Sequence, residues 1–264
     1  MTSLRIALAG KGGAGKTTTS ATLSRLLARR GAQVLVIDGD SNPNVGVALG
    51  LSHEEAAGIQ PLPPGLVSRR LDGPALNISV ADVVDKYGAR GPDGVAVLHM
   101  AMPAHADEGC LCSSHATVSA LLADSSDGPQ SAGLDIVTVL DLEASPEHFS
   151  RGTTRHVDAL LFVVEPYYRS METARRMGAL AAELPIPRVG VVANKLRSPG
   201  DDEALTEFFA NHDMTIEGRV PWSDSVLDAD KEGVPLLDFD PDGAVVRAVA
   251  ALVDRLVAVE PASA

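Results

Sequence analysis

Residues 4 to 18 run Leu-Arg-Ile-Ala-Leu-Ala-Gly-Lys-Gly-Gly-Ala-Gly-Lys-Thr-Thr, and this stretch limits the folds open to the chain more than any other. Gly10, Gly15, Lys16 and Thr17 match G-x-x-x-x-G-K-[ST]. In such a loop the bare backbone N–H groups wrap a triphosphate, the lysine neutralises charge and the hydroxyl takes Mg²⁺. The flanks suit that motif: Ile6, Ala7, Leu8 and Ala9 form a short apolar run expected of a buried parallel strand. Thr18 to Arg30 then carries Ala21, Leu23, Leu26 and Leu27 at helical spacing. A helix starting there points its positive dipole end at the phosphates. The expected nucleotide contacts are Gly12, Gly13, Ala14, Gly15, Lys16, Thr17 and Thr18.

Apolar runs and helical patterns alternate through the remaining chain. Val34-Leu35-Val36-Ile37-Asp38 is the second expected strand, after a helix stop at Gly31, and it delivers Asp38 and Asp40 toward the phosphates. Residues 52 to 74, rich in proline and glycine, are expected to be irregular, and Val80 to Lys86 a short helix. A strand over Val95 to Met100 leads to Glu108-Gly109-Cys110-Leu111-Cys112, and Ser113 or Ser114 is the expected N-cap of a helix through Ala123. Ile136 to Asp141 is a strand whose terminal carboxylate is the expected second Mg²⁺ partner. Ser145-Pro146-Glu147 has the form of a helix start. Strands over 159 to 164 and 188 to 193 flank a helix over 170 to 183, and an amphipathic helix over 245 to 257 is expected to pack on the core. The fold class is α/β, a doubly wound, mostly parallel sheet flanked by helices, forming one P-loop NTPase domain over residues 1 to 264.

The chain has 45% hydrophobic residues but only 3% aromatics, a balance suited to parallel strands under tightly packed helices. Its net charge of −13 argues against nucleic acid and anionic membrane as partners, since both require a basic footprint. No leader-like segment precedes the first strand, and no apolar stretch approaches the roughly 20 residues of a membrane span, so a cytoplasmic protein is expected. Both cysteines, Cys110 and Cys112, lie in one C-x-C, which excludes a disulfide framework and directs attention to metal or redox chemistry.

Lys11 completes Lys-Gly-Gly-x-Gly-Lys-Thr, which resembles the deviant P-loop of the partition, septum-site, nitrogenase-iron-protein and arsenite-pump ATPases. The resemblance implies that Lys11 reaches across a dimer to the partner's nucleotide. Gly-Cys-Leu-Cys-Ser, Asp-Leu-Glu-Ala-Ser-Pro-Glu-His and Arg-Gly-Thr-Thr-Arg-His-Val-Asp-Ala-Leu-Leu-Phe-Val-Val-Glu-Pro follow in order. With them the chain resembles the carbon monoxide dehydrogenase nickel-insertion accessory ATPases over most of its length. The family likeness implies a homodimer that binds metal through the C-x-C pair and couples ATP turnover to maturation of a nickel enzyme. Lys11, Lys16 and Asp40 would then act on the γ-phosphate, with Asp40 positioning or activating water and Thr17 and Asp141 holding Mg²⁺. Asn194, Lys195 and Pro221 would stand on the base side. Two departures are Ser-Asn-Pro-Asn after Asp40, where Asn44 cannot take a proton, and Ser145-Pro146 in place of a glycine-containing turn.

In an extended segment residues i and i+2 face one side, so Cys110 and Cys112 could present two sulfurs to one ion. A two-fold dimer would bring four, a set that suits Zn²⁺ in a tetrahedral arrangement or Ni²⁺ in a planar one. The other reading of the pair is two buried apolar thiols. His115 is either a third ligand or a solvated or capping residue, and Glu147 and His148 are read first as switch residues that sense the phosphate state. Three functions follow: an ATP-dependent metallochaperone serving a client metalloenzyme such as carbon monoxide dehydrogenase, a partition- or septum-type positioning ATPase, and an iron–sulfur carrier ATPase.

Overall fold

The computed structural model describes residues 3–40, 42–70, 73–100, 112–125, 135–143 and 145–258. The chain runs β1 (Leu4–Ala9), α1 (Lys16–Arg29), β2 (Gln33–Gly39), α2 (Val45–Leu49), α3 (His53–Ala57), β3 (Val67–Arg70), β4 (Gly73–Leu76), α4 (Val80–Tyr87), β5 (Ala89–Arg90) and β6 (Ala96–His99). It continues through α5 (Cys112–Asp124), β7 (Ile136–Leu142), α6 (Glu147–Ser150), β8 (Ala159–Val164), α7 (Tyr168–Ala181), β9 (Arg188–Leu196), α8 (Pro199–Ala210), β10 (Thr215–Pro221), α9 (Asp224–Glu232), α10 (Leu236–Phe239) and α11 (Ala244–Ala258). The main sheet is ordered β10-β9-β8-β1-β7-β2-β6-β5 and is parallel throughout except for β5.

The central strands are buried on both faces, as continuous apolar runs require. Ala7, Leu35, Ile37, Leu140, Leu160 and Phe162 face a layer that includes Val118 and Leu121 of α5, Met177 of α7 and Phe209 of α8. Ile6, Leu8, Val36, Val139, Leu161 and Val192 face the other layer, built by Leu23 and Leu27 of α1 and Val249, Leu252 and Val253 of α11. The C-terminal helix is therefore a core element, as its periodicity predicts. Gly31, at φ 89°, ends α1 with N–H bonds from Gly31 to Ala28 and from Ala32 to Leu27.

Several expectations need correction. The proline-rich stretch over 52 to 74 is not wholly irregular: α3 is closed by a capping box between Ser52 and Glu55, and β3 and β4 form an antiparallel hairpin. Helix α5 begins at Cys112, so Ser113 and Ser114 are inside it and neither caps it. The last strand, β10, and helices α8 to α10 are not legible in the apolar pattern, because β10 carries Glu217, Gly218 and Arg219 and α8 is acidic in its first turn. Ser198 and Asp201 nevertheless form a capping box at α8.

Arg25 of α1 is 3% exposed and ties this helix to α10, to the end of α2 and to the turn before β6. Its Nε donates to Asp93 at 2.7 Å, its Nη2 to Asp238 at 2.9 Å, and its Nη1 to Asp238 and to the Leu49 carbonyl. Arg25→Ala is expected to lower stability by about 2–3 kcal/mol, the scale of a lost charged hydrogen bond that leaves partners unpaired. Arg30→Ala, which loses an exposed pair with Asp254, should cost less than about 1 kcal/mol. Urea unfolding of the two variants checks this, and equal losses would rule out a special role for the buried guanidinium.

Candidate functional site

The parallel order places the glycine loop between β1 and α1 at the carboxyl ends of the central strands, where open α/β sheets collect ligands. Gly10 adopts φ 146°, and a Cβ there would collide with the Val163 carbonyl of the neighbouring strand. Gly15, at φ 96°, is the N-cap of α1 and supplies no side-chain acceptor to the helix, whose first turn contains no acidic residue. The first N–H groups of the helix thus have the form that suits an anion. Lys16 is 6% exposed, and its ammonium lies 3.5 Å from the Lys11 carbonyl within its own loop. Thr18 lines the adjoining cavity with Gly13, Gly15 and Thr17.

At the strand ends the register sets Asp38 of β2 directly opposite Asp141 of β7, and each is 1% exposed. Asp141 accepts hydrogen bonds from the Thr17 hydroxyl at 2.8 Å and the Ser20 hydroxyl at 3.0 Å. A carboxylate beside a threonine hydroxyl is a hard oxygen donor set of the kind Mg²⁺ takes. Asp38 has a different task, which the sequence pattern leaves hidden: it accepts the backbone N–H groups of Asp40, Asn44 and Val45 and so shapes the loop that carries Asp40. Asp40 is half-buried and accepts the Asn42 N–H at 2.9 Å.

Burial pushes the Asp141 carboxyl up to about 7, with the Asp38 charge adding to the rise and the Thr17 bond opposing it. Asp38 is pushed up to about 6, again by burial first, against its three backbone N–H bonds.

On the other side of the loop, Asn194 and Lys195 close β9. The Asn194 amide donates to the Ala14 carbonyl at 2.7 Å and accepts the Lys195 N–H, while the Lys195 ammonium donates to the Gly13 carbonyl at 2.6 Å. Both residues therefore grip the glycine loop as well as lining the cavity. That cavity, about 480 Å³, is walled by Thr17, Thr18, Asn194, Pro221 and Trp222 and continues toward Val47 and Leu236. Trp222 carries the Arg197 guanidinium 3.8 Å from its ring centre.

Beyond β7, the Ser145 hydroxyl accepts the Glu147 N–H at 3.3 Å, and the chain turns into α6. His148 is 3% exposed and meets His115 edge-to-face at 5.2 Å between ring centres. His115 is 2% exposed, with Nδ1 2.6 Å from the Thr153 hydroxyl and Nε2 3.8 Å from Glu147, so it is neither a solvated nor a capping residue. Burial lowers the pKa of both rings, that of His148 to about 4, which keeps them neutral. Cys110 lies outside the described residues, and of Cys112 the backbone alone is described, as the first residue of α5. Among the described residues no group of three or more His, Cys, Asp or Glu is placed to hold a metal ion. No helix of the described residues is long and apolar enough to cross a membrane.

A carboxyl pKa raised by folding adds stability in full below the unfolded value of about 4, and that contribution is lost as pH rises through the folded value. In nucleotide-free protein without divalent cations, Asp141→Asn should therefore gain on wild type as pH climbs from about 4 to about 7, with the difference levelling off above that. Thermal melts of both proteins across that range check the expectation, and a constant difference would contradict it.

The family model for the CobQ/CobB/MinD/ParA nucleotide-binding domain matches residues 6–245. The chain is 33% identical to the carbon monoxide dehydrogenase accessory protein CooC of Rhodospirillum rubrum, over 90% of this chain and 91% of that one. It is 32% identical to an uncharacterised ATP-binding protein of Methanocaldococcus jannaschii, over 88% and 91% of the two chains. Among solved structures it is similar in fold to the MinD cell division protein of Aquifex aeolicus, with a TM-score of 0.69 at 19% identity and 98% of each chain covered. The same holds for the septum site-determining protein MinD of Pyrococcus horikoshii in complex with Mg-ADP, with a TM-score of 0.68 at 18% identity over 97% and 96% of the chains. With the glycine loop, its lysine and its strand-end carboxylate assembled as described, the chain belongs to the CobQ/CobB/MinD/ParA nucleotide-binding family and is a P-loop ATPase.

Proposed function

We propose that the protein is an ATP-dependent maturation ATPase and metallochaperone. It acts as a cytoplasmic, nucleotide-switched homodimer of one P-loop domain per chain. It binds a thiophilic metal through Cys110 and Cys112 and assists nickel insertion into a client metalloenzyme such as carbon monoxide dehydrogenase. The observation that carries this reading is the 33% identity, over nine-tenths of the chain, to a relative named for its service to that enzyme.

The chemistry follows from the loop. Backbone N–H groups of residues 12 to 18 and the Lys16 ammonium take the β- and γ-phosphates, and Asn194, Lys195 and Pro221 stand beside the base. Mg²⁺, held by Thr17 and Asp141, would supply neutralisation of the phosphate oxygens; Asp141 must be deprotonated for this, which its raised pKa makes dependent on a nearby cation. Asp40 orients the water that attacks the γ-phosphate, and Lys11 adds charge to the developing transition state across the dimer. Asp40, whose backbone N–H Asp38 accepts, and Glu147 and His148 of α6 are the groups that respond to the γ-phosphate. Two C-x-C pairs brought together by closure would give a four-thiolate site for Ni²⁺ or Zn²⁺, opened again after hydrolysis.

Lys16→Ala is expected to abolish ATP turnover, since it removes the charge on the transferred phosphoryl group; retained wild-type turnover would refute the assignment of the loop. Elemental analysis under anaerobic conditions should find about half a metal per chain in the dimer held by a non-hydrolysable ATP analogue. Cys112→Ser should remove the metal and leave nucleotide affinity near wild type. Equal metal content in both proteins would sink the thiolate site, and a brown iron–sulfur chromophore would favour a cluster carrier.

A further inference from the structure

The end of β8 holds a set of contacts that neither the glycine-loop motif nor the C-x-C reading uses. Glu165 lies just beyond the strand, its backbone N–H bonded at 3.1 Å to the hydroxyl of Ser170, which is 1% exposed. The Glu165 carboxylate is divided between two partners. Oε1 pairs with the Lys195 ammonium at 2.8 Å, the same ammonium that donates to the Gly13 carbonyl. Oε2 accepts the Tyr167 hydroxyl at 2.9 Å. The Tyr167 ring in turn carries the Lys11 ammonium 5.6 Å from its centre, within cation–π range. Tyr167 is 39% exposed, so its orientation is set by the bond to Glu165 rather than by burial.

From this geometry we infer that Glu165 and Tyr167 are positioning residues for ATP hydrolysis: one carboxylate sets Lys195 on the glycine loop through one oxygen and, through the other, sets the ring that holds Lys11 at the rim of the same loop. The two arms act on different steps. Lys195 and Gly13 belong to the wall that receives the nucleotide, so the Oε1 arm governs binding. Lys11 belongs to turnover, so the Oε2 arm governs the chemical step, and this half of the inference rests on the role proposed above for Lys11. A side chain serving the fold alone would shift both kinetic parameters together with thermal stability.

Steady-state ATPase kinetics of the full chain separate the two arms, with nucleotide binding followed by fluorescence of Trp222, the one tryptophan of the sequence, which lines the cavity. Glu165→Ala should raise KM for ATP about tenfold, as expected for a lost charge-assisted bond, and should lower kcat as well. Glu165→Gln keeps an acceptor for Lys195 and should recover most of the binding. Tyr167→Leu should lower kcat about two- to fivefold and leave KM near wild type, while Tyr167→Phe, which keeps the ring, should fall between. Equal proportional changes in kcat and KM for Glu165→Ala and Tyr167→Leu, or no change in either variant, would overturn the inference. Lys11→Ala provides the control: turnover at the wild-type rate would overturn the role given to Lys11 and the Oε2 arm with it. Loss of turnover in Lys11→Ala beside unchanged Tyr167→Leu would overturn the Oε2 arm alone.

Discussion

The hydrogen bond from Thr17 to Asp141 joins the first turn of α1 to the end of β7, and the rest of the site is arranged about that joint. A second hydroxyl, Ser20, one helical turn on, meets the other carboxylate oxygen, so Asp141 is held at both oxygens by one face of the helix. The helix cannot rotate without breaking both bonds. The cost of burying the carboxylate appears in its raised pKa, which two hydroxyl bonds and the nearby Lys16 charge reduce without removing. Such a group gains from an added cation.

Asp38 sits opposite Asp141 in the sheet, and two like charges there would repel across adjacent strands. The fold manages this by giving them different partners. Asp141 takes hydroxyls from α1, whereas Asp38 takes backbone N–H groups from Asp40 and Asn44 in the loop after β2 and from Val45 at the start of α2. Any change in charge at Asp141 is therefore felt by the carboxylate that holds the Asp40 loop in shape. A buried pair of this kind gives the loop an electrostatic reason to respond to what happens at the phosphates.

The glycine loop is braced from the opposite flank by polar side chains. Asn194 takes the Ala14 carbonyl and Lys195 that of Gly13, and the absence of a Cβ at Gly15 is what lets the Asn194 amide approach. Further out, the buried rings of His115 and His148 join the start of α5, where Cys112 stands, to the segment that follows β7.

The sequence by itself determined the α/β class, the loop–helix junction, the central strands and the carboxylates that end them, because each rests on local chemistry: glycine spacing, apolar runs and helical period. It determined the core role of α11 for the same reason. Tertiary structure alone decided what depends on register and on residues far apart in the chain. Asp38 reads as another phosphate-side acid until the sheet places it opposite Asp141 and beneath its own loop. His115 reads as a third metal ligand or as a solvated or capping residue until α5 packs it against Thr153 and His148. Glu165 ends the Val-Val-Glu-Pro run and Tyr167 follows it, but nothing local gives either a task; that comes from Lys195, 30 residues further on, and from Lys11 of the glycine loop. Strand β10 and helix α8 stayed hidden because their charged residues find partners on neighbouring elements, Glu217 with Arg188 of β9 and Arg219 of β10 with Asp202 of α8, and such pairing leaves no period in the sequence.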